Sequence, residues 1–149
     1  MSGGTGVICV DTMFLVDLWR EKDLPSSPAR ALLAAHPGED FTVPAHAAGE
    51  FLEGGAAVSE ERLEESLQFL RFFRIGEVGV ETAVRYASIV AQLRRGSGLT
   101  GRSKADLWIA AWAVQHAAPL STRNTKHFGG IPDLILIGYS DESDADTGG

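Results

Sequence analysis

The chain is short of cysteine, of long apolar runs and of the glycine signatures of nucleotide loops, and each shortage excludes something. One cysteine, Cys9, among 149 residues cannot form an internal disulfide. It stands in an apolar run, where a small buried hydrophobe belongs. No apolar stretch approaches the roughly 20 residues needed to cross a bilayer. The opening Met1–Gly6 lacks the cationic and apolar regions of a secretory signal. The sequence therefore reads as cytoplasmic, with no membrane partner. No GxxxxGK[ST], no GxGxxG after a strand and no GxSxG occurs, so nucleotide-loop and serine-hydrolase readings lapse. The four histidines, His36, His46, His116 and His127, are scattered without metal-ligand spacing. Only His127 lies near a candidate site, and it reads as a surface or packing residue.

Apolar residues make up 44% of the chain and charged residues 22%, a balance that buries a core in one domain of this length. The net charge of −7 argues at first against a nucleic-acid partner. Its distribution weakens that argument. The segment Asp141–Gly149 holds four acids and no base, and without it the charge falls from −7 to −3. The domain reading is a flexible start over 1–6, a folded unit over 7–138, and an acidic tail over 139–149 too poor in apolar surface to fold. The bases cluster late, at Arg94-Arg95, Arg102/Lys104 and Arg123/Lys126. An acidic chain of this kind still admits RNA.

Val7-Ile8-Cys9-Val10 is apolar and β-branched without alternation, as expected of a parallel strand buried on both faces. A short helix follows through Phe14, Leu15, Leu18 and Trp19. Ser27-Pro28 supplies an N-cap and a first-turn proline for a helix to about Ala35. Phe41-Thr42-Val43 predicts a strand closed by Pro44. Helices are predicted from Ala45 to Ala57, interrupted or bent at Gly54-Gly55, and from Ser59 to Phe73, the latter with Leu63, Leu67 and Leu70 on its apolar face. A strand is predicted over Ile75–Val80, a broad-faced helix over Val80–Arg95, and a glycine-rich loop over Gly96–Gly101. The almost wholly apolar Lys104–Ala117 predicts a core helix, and Pro119–Thr122 and Leu134–Ile137 predict late strands. Strands alternating with helices place the chain in the α/β class, as a three-layer α/β/α arrangement with a central, mainly parallel sheet.

On that frame several polar residues fall at one edge. Asp11 directly follows the first strand, where open parallel sheets bind ligands; the plain alternative is a turn or cap. Asp106 opens the core helix, and Ser103-Lys104-Ala105-Asp106 also matches a capping box. Glu50 lies in a small, apolar helical setting where a carboxylate needs a partner, whereas Glu53 suits the solvated side. Asn124 follows the strand ending at Thr122 and reads by default as a turn residue. Carboxylates brought to one edge repel unless a cation joins them, and hard oxygen donors favour Mg²⁺ or Mn²⁺ over zinc. Such a site activates water against a phosphodiester.

The stretch Val10-Asp11-Thr12-Met13-Phe14-Leu15-Val16-Asp17-Leu18 resembles the opening of PIN-domain proteins, especially the VapC-type toxins of bacterial toxin–antitoxin pairs. Ser103–Ala111 resembles their second acidic motif, and Leu120–Phe128 with Ile131 and Leu134–Ile137 their closing motif; the ordered set spans roughly residues 7–138. The resemblance implies a PIN-like fold and a Mg²⁺-dependent endoribonuclease silenced by a cognate antitoxin, in a family whose members are commonly homodimers. It further implies Asp11 and Asp106 as principal metal ligands, Glu50 as third acid, and Thr12 and Thr122 as supporting hydroxyls. Asn124 takes the place of a fourth acid, which argues against a tightly held second metal. Asp17 fits the opening motif, points away from Asp11 on its helix and reads as structural. Arg123 and Lys126 beside Asn124, and Arg102 and Lys104 beside Asp106, are candidate RNA-phosphate contacts.

Two other classes compete. A PIN-like protein-binding module, weak or inactive in catalysis, would use the same acids as caps and dock a partner on apolar helices, with Phe69, Phe72 and Phe73 as a candidate surface. An aspartyl-nucleophile phosphatase also places an aspartate after its first strand, but wants an acid two residues later, where this chain has Met13.

Overall fold

The structure, a computed structural model, describes residues 6–24 and 27–139. The first strand, β1 (Val7–Val10), is buried at Ile8, Cys9 and Val10 alike. Successive strand residues face opposite ways, so both faces of β1 are covered, as its unbroken apolar run predicts. Next come α1 (Thr12–Arg20), α2 (Pro28–Ala35) and β2 (Asp40–Pro44). Two packed helices follow, α3 (Ala45–Ala56) and α4 (Glu60–Leu70), and then β3 (Arg74–Gly76) and α5 (Val80–Arg95). The chain continues through α6 (Lys104–Gln115), β4 (Leu120–Thr122), a short α7 (Thr125–Phe128) and β5 (Leu136–Gly138). The five strands form one sheet in the order β3-β2-β1-β4-β5, with every pairing parallel. Helices flank it, giving the α/β class expected.

This order has a consequence for chemistry. From β1 the chain builds outward through β2 and β3, then crosses to the other side of β1 for β4 and β5. Loops leaving β1 and β4 therefore diverge, opening a crevice at the carboxyl ends of those two strands. Asp11 leaves β1 there, and Asn124 lies two residues beyond the end of β4.

Several elements differ from expectation. α3 continues unbroken through Gly54-Gly55, and Gly55 is its contact point with α4: a Cβ there would stand 2.4 Å from the Ser66 hydroxyl. Accordingly α4 buries Ser66 and Leu70 while Leu63 and Leu67 are exposed, 36% and 47%. It also ends at Leu70 rather than Phe73. β3 covers only Arg74–Gly76, and α7 was not predicted at all. Gly6 and Tyr139 belong to the fold rather than to the expected flexible start and tail. The Gly6 carbonyl accepts from the Asp40 N–H at 2.9 Å, and Tyr139 is buried. The rest of the expected tail, from residue 140, lies outside the described residues.

α6 is the core helix its sequence predicts, burying Leu107, Ile109, Ala110, Ala111, Trp112 and Ala113. Trp112 is fixed by an Nε1–H bond to the Glu77 carbonyl at 3.0 Å, and its ring lies where a Cβ on Gly76 would be, 2.3 Å away. Neither the backbone of β3 nor the tethered ring can yield cheaply. Gly76→Ala should therefore lower stability by about 1–3 kcal/mol, read as a shifted midpoint in urea unfolding. An unchanged midpoint would show that the ring moves freely.

Candidate active site

Asp11 is the N-cap of α1. Its side chain accepts from the Phe14 N–H at 2.8 Å, and only 3% of the residue is exposed. Because β1 pairs with β4 with Val10 opposite Ser121, the next residues along, Asp11 and Thr122, are neighbours across the crevice. The Thr122 hydroxyl hydrogen-bonds the Asp11 carboxylate and accepts from the Asn124 N–H at 3.0 Å. One buried threonine thus holds both the acid after β1 and the asparagine after β4. The Asn124 side chain makes no capping bond to α7.

Glu50 rises from the second turn of α3, which starts directly at Pro44, the end of β2. Thr12, in the first turn of α1, donates to Glu50 Oε1 at 2.6 Å, and that bond orients the carboxylate. Glu53, on the same helix, is exposed as expected. Asp106 sits at the third position of α6. Its N–H donates to the Ser103 hydroxyl at 3.0 Å, so the cap predicted at Ser103 forms. The same hydroxyl hydrogen-bonds the half-buried carboxylate.

The acids sense one another in sequence. Burial, more than any charge, pushes the Asp11 carboxyl up to about 6; the Thr122 and Phe14 hydrogen bonds oppose this, and the charges of Asp106 and Asp17 add to it. Asp106 is likewise raised, first by burial; Ser103 and His127 counteract it and the Glu50 charge adds. The coupling therefore runs from Asp11 through Asp106 to Glu50. Among the described residues no three His, Cys, Asp or Glu side chains are close enough together to share one ion. Magnesium needs no such cage, since it commonly keeps several waters and takes one or two carboxylates. Asp11 and Asp106, hard oxygen donors held in mutual repulsion, fit that demand, with Glu50 held back by Thr12.

The basic residues divide differently from expectation. Arg102 is committed to the fold: its guanidinium donates to the carbonyls of Gly98 at 2.6 Å, His127 at 2.9 Å, and Gly129. Arg123 pairs at 3.2 Å with Asp17, a buried carboxylate that also accepts from the Tyr139 hydroxyl at 2.8 Å. These contacts leave neither arginine free as a simple phosphate contact. They bear out Asp17 as structural, although its charge does reach Asp11. Lys104 and Lys126 are exposed. His127, read from sequence as a surface residue, is 63% exposed in its side chain yet places Nδ1 3.9 Å from Asp106 Oδ2. Its signal was its place three residues after Asn124, one turn along a helix that was not foreseen. Cys9 is wholly buried, and burial raises its thiol further from the reactive thiolate.

With this geometry in place, the model of the PIN domain matches residues 8–132. The chain belongs to the PIN-domain family. It is 30% identical over 133 residues to Ribonuclease VapC1 of Methanocaldococcus jannaschii, covering 89% of this chain and 86% of that protein. Among solved structures, VapBC2 from Rickettsia felis, bound to a DNA fragment from its promoter, superposes with a TM-score of 0.75 at 22% identity. That likeness covers 90% of this chain and 99% of the other. A toxin–antitoxin complex from Klebsiella pneumoniae matches at a TM-score of 0.65 and 26% identity, over 86% and 95%. The PIN fold thus accounts for the placement of Asp11, Asp106 and Asn124 around one crevice.

The raised Asp11 has a thermodynamic signature. A carboxyl near 6 in the folded chain and near 3.8 in the unfolded one holds its proton more tightly when folded. Its contribution is complete below about pH 4 and lost as pH rises through about 6, by at most about 3 kcal/mol. Asp11→Asn keeps an oxygen to cap Phe14 and removes the charge. In chelator at pH 7 the variant should unfold at higher urea than the wild type, and its stability should be flatter between pH 4 and 6. Equal midpoints at pH 7 would mean that Asp11 is well solvated.

Proposed function

We propose that this PIN domain is a Mg²⁺-dependent endoribonuclease, with Mn²⁺ as an alternative ion, that cleaves RNA phosphodiesters and is held in check by a cognate protein antitoxin. The reading is carried by the placement of Asp11, buried at the end of β1, with Glu50 tied to the adjacent Thr12 at 2.6 Å and Asp106 near enough for its charge to act on Asp11, at the crevice where the sheet reverses. Burying acids beside one another costs stability, and a cation drawn to them offsets that cost. The kinship with a ribonuclease of the VapC type and with a toxin–antitoxin complex supports the substrate and the partner. No described helix is long and apolar enough to cross a membrane; we assign the protein to the cytoplasm, where its RNA would lie, and infer a homodimer like those common in the family.

Asp11 and Asp106 would hold the metal, which when bound lowers the pKa of a water and neutralises charge developing on the phosphorus oxygens. The remaining steps belong to the protein. Thr12 holds Glu50 Oε1 in place, which leaves its other oxygen to orient a water by accepting a hydrogen bond from it. Thr122 keeps Asp11 and the Asn124 backbone in register, and the Asn124 amide offers a neutral oxygen. Lys104 and Lys126 meet the RNA backbone, a role the committed Arg102 and Arg123 support only through their charge.

Cleavage of a labelled RNA by the purified chain should require added Mg²⁺ and stop with chelator. Asp11→Asn and Asp106→Asn should each lower the rate about a hundredfold or more. Thr12→Val, which frees Glu50, should lower it about tenfold. Cleavage that persists in both aspartate variants and in chelator would overturn the assignment. Calorimetry without Mg²⁺ binding at millimolar concentration would instead favour a PIN-fold binding module.

A further inference from the structure

We propose that a cleft between α5 and α6 receives a nucleotide flanking the cleaved bond of a single-stranded RNA, its base against Tyr86 and its phosphates on Arg94 and Lys104. The inference rests on the ribonuclease reading above and adds where, and in what form, the strand continues.

The cleft holds about 460 Å³, within the range of small-ligand sites. Its floor is apolar, with Val90, Leu99 and Leu107, and every charged side chain that lines it is cationic: Arg94, Arg102 and Lys104. In a chain of net charge −7, a hollow walled by three cations and no acid is suited to an anion. Arg102 is fixed there by its three carbonyl partners, so its charge is a standing feature of the wall. Arg94 and Lys104 are exposed.

An aromatic ladder joins this cleft to the acids. Tyr86 lines the cleft and stacks on Trp108 with centroids 4.3 Å apart and planes 8° from parallel. Trp108 in turn faces His46 at 6.3 Å and 21°. His46 lies one turn before Glu50 on α3, and Lys104 lies two residues before Asp106 on α6. The two helices thus carry the acidic couple and the ladder side by side. A strand whose phosphate met Asp106 would have its neighbouring nucleotide within reach of Lys104 and the cleft. The ring of Tyr86 is already held flat by Trp108, so stacking a base on it orders little that is free. Bases of a duplex are stacked on one another and could not enter, whereas an unpaired base can.

The test uses the full chain in chelator, where the proposed cleavage stops, and a fluorescein-labelled RNA strand on the order of eight nucleotides long, followed by anisotropy. Arg94→Glu and Tyr86→Leu should each weaken binding about tenfold. Tyr86→Phe, which keeps the stack, should bind like the wild type, and a duplex of the same composition should bind more weakly than the single strand. Thermal melts of Tyr86→Leu establish that it is folded; Arg94→Glu, at an exposed position, carries the test if it is not. Wild-type affinity in both Arg94→Glu and folded Tyr86→Leu, in a chain that cleaves RNA, would overturn the cleft and leave the ribonuclease reading standing. A wild-type chain that cleaves no RNA with Mg²⁺ would overturn the ribonuclease reading itself.

Discussion

Asp11 has lost nearly all its water, and a carboxylate so placed must find other partners or give up its charge. Here it does some of both. The Phe14 N–H and the Thr122 hydroxyl bond to it, yet burial still lifts its pKa to about 6. Those two bonds organise much around them. The first starts α1 at the residue after β1. The second ties β1's exit to β4's, and through the Asn124 N–H to the short α7. The two strand exits at the reversal are therefore held together by the same groups that hold the acid. Its polar groups are arranged for a charge that the fold alone does not welcome, as expected where function is kept at some cost in stability.

Beneath this acid lies a second one with a different fate. Asp17, 4% exposed, is two turns further along α1, and receives both the Tyr139 hydroxyl and the Arg123 guanidinium. Its charge is matched, whereas that of Asp11 is not. The match links three distant parts of the chain: α1, the turn after β4, and the residue that follows β5. Tyr139 also packs edge-on against Phe14, with centroids 5.4 Å apart, and its N–H donates to the Thr122 carbonyl at 3.3 Å. Thr122 is thus braced from the structural acid's side while it serves the candidate catalytic one. Two aspartates six residues apart divide the labour, one holding the site and the other available to it.

What could be read from the sequence follows from how local the cause is. β1 was legible because burial on both faces leaves an unbroken apolar run, and Asp11 stood out by ending it. α6 was legible for the same reason, and the Ser27 and Ser103 caps because capping is decided within three residues. The failures have non-local causes. Leu63 and Leu67 have helical spacing, but Gly55 lets α4 approach through Ser66 instead, and nothing in α4 itself records that. Arg102 and Arg123 stand among acids and turns like any surface cation; their partners are carbonyls 4, 25 and 27 residues away and a carboxylate on α1. Tyr139 looked like the start of a polar tail because its partner, Asp17, is 122 residues distant.

The charge of the chain can then be considered by place rather than by sum. Of the acids near the crevice, Asp17 is paired with Arg123, Glu50 is held by Thr12, and the Asp11 carboxyl is raised by burial and, less, by the Asp106 charge. An anionic strand approaching the crevice meets less negative charge than a count of carboxylates implies, and a divalent ion would reverse the remainder. The cations on α5, α6 and the loop between them lie to one side of this point, on the cleft whose floor is apolar. Attraction at Arg94 and Lys104 and repulsion at Asp106 would together set the strand's position, since a phosphate is welcome at the first two without help and at the third only with a metal. Under this arrangement binding and cleavage have separable requirements. An RNA could be held by the cleft in the absence of Mg²⁺ and be brought against the acids only in its presence.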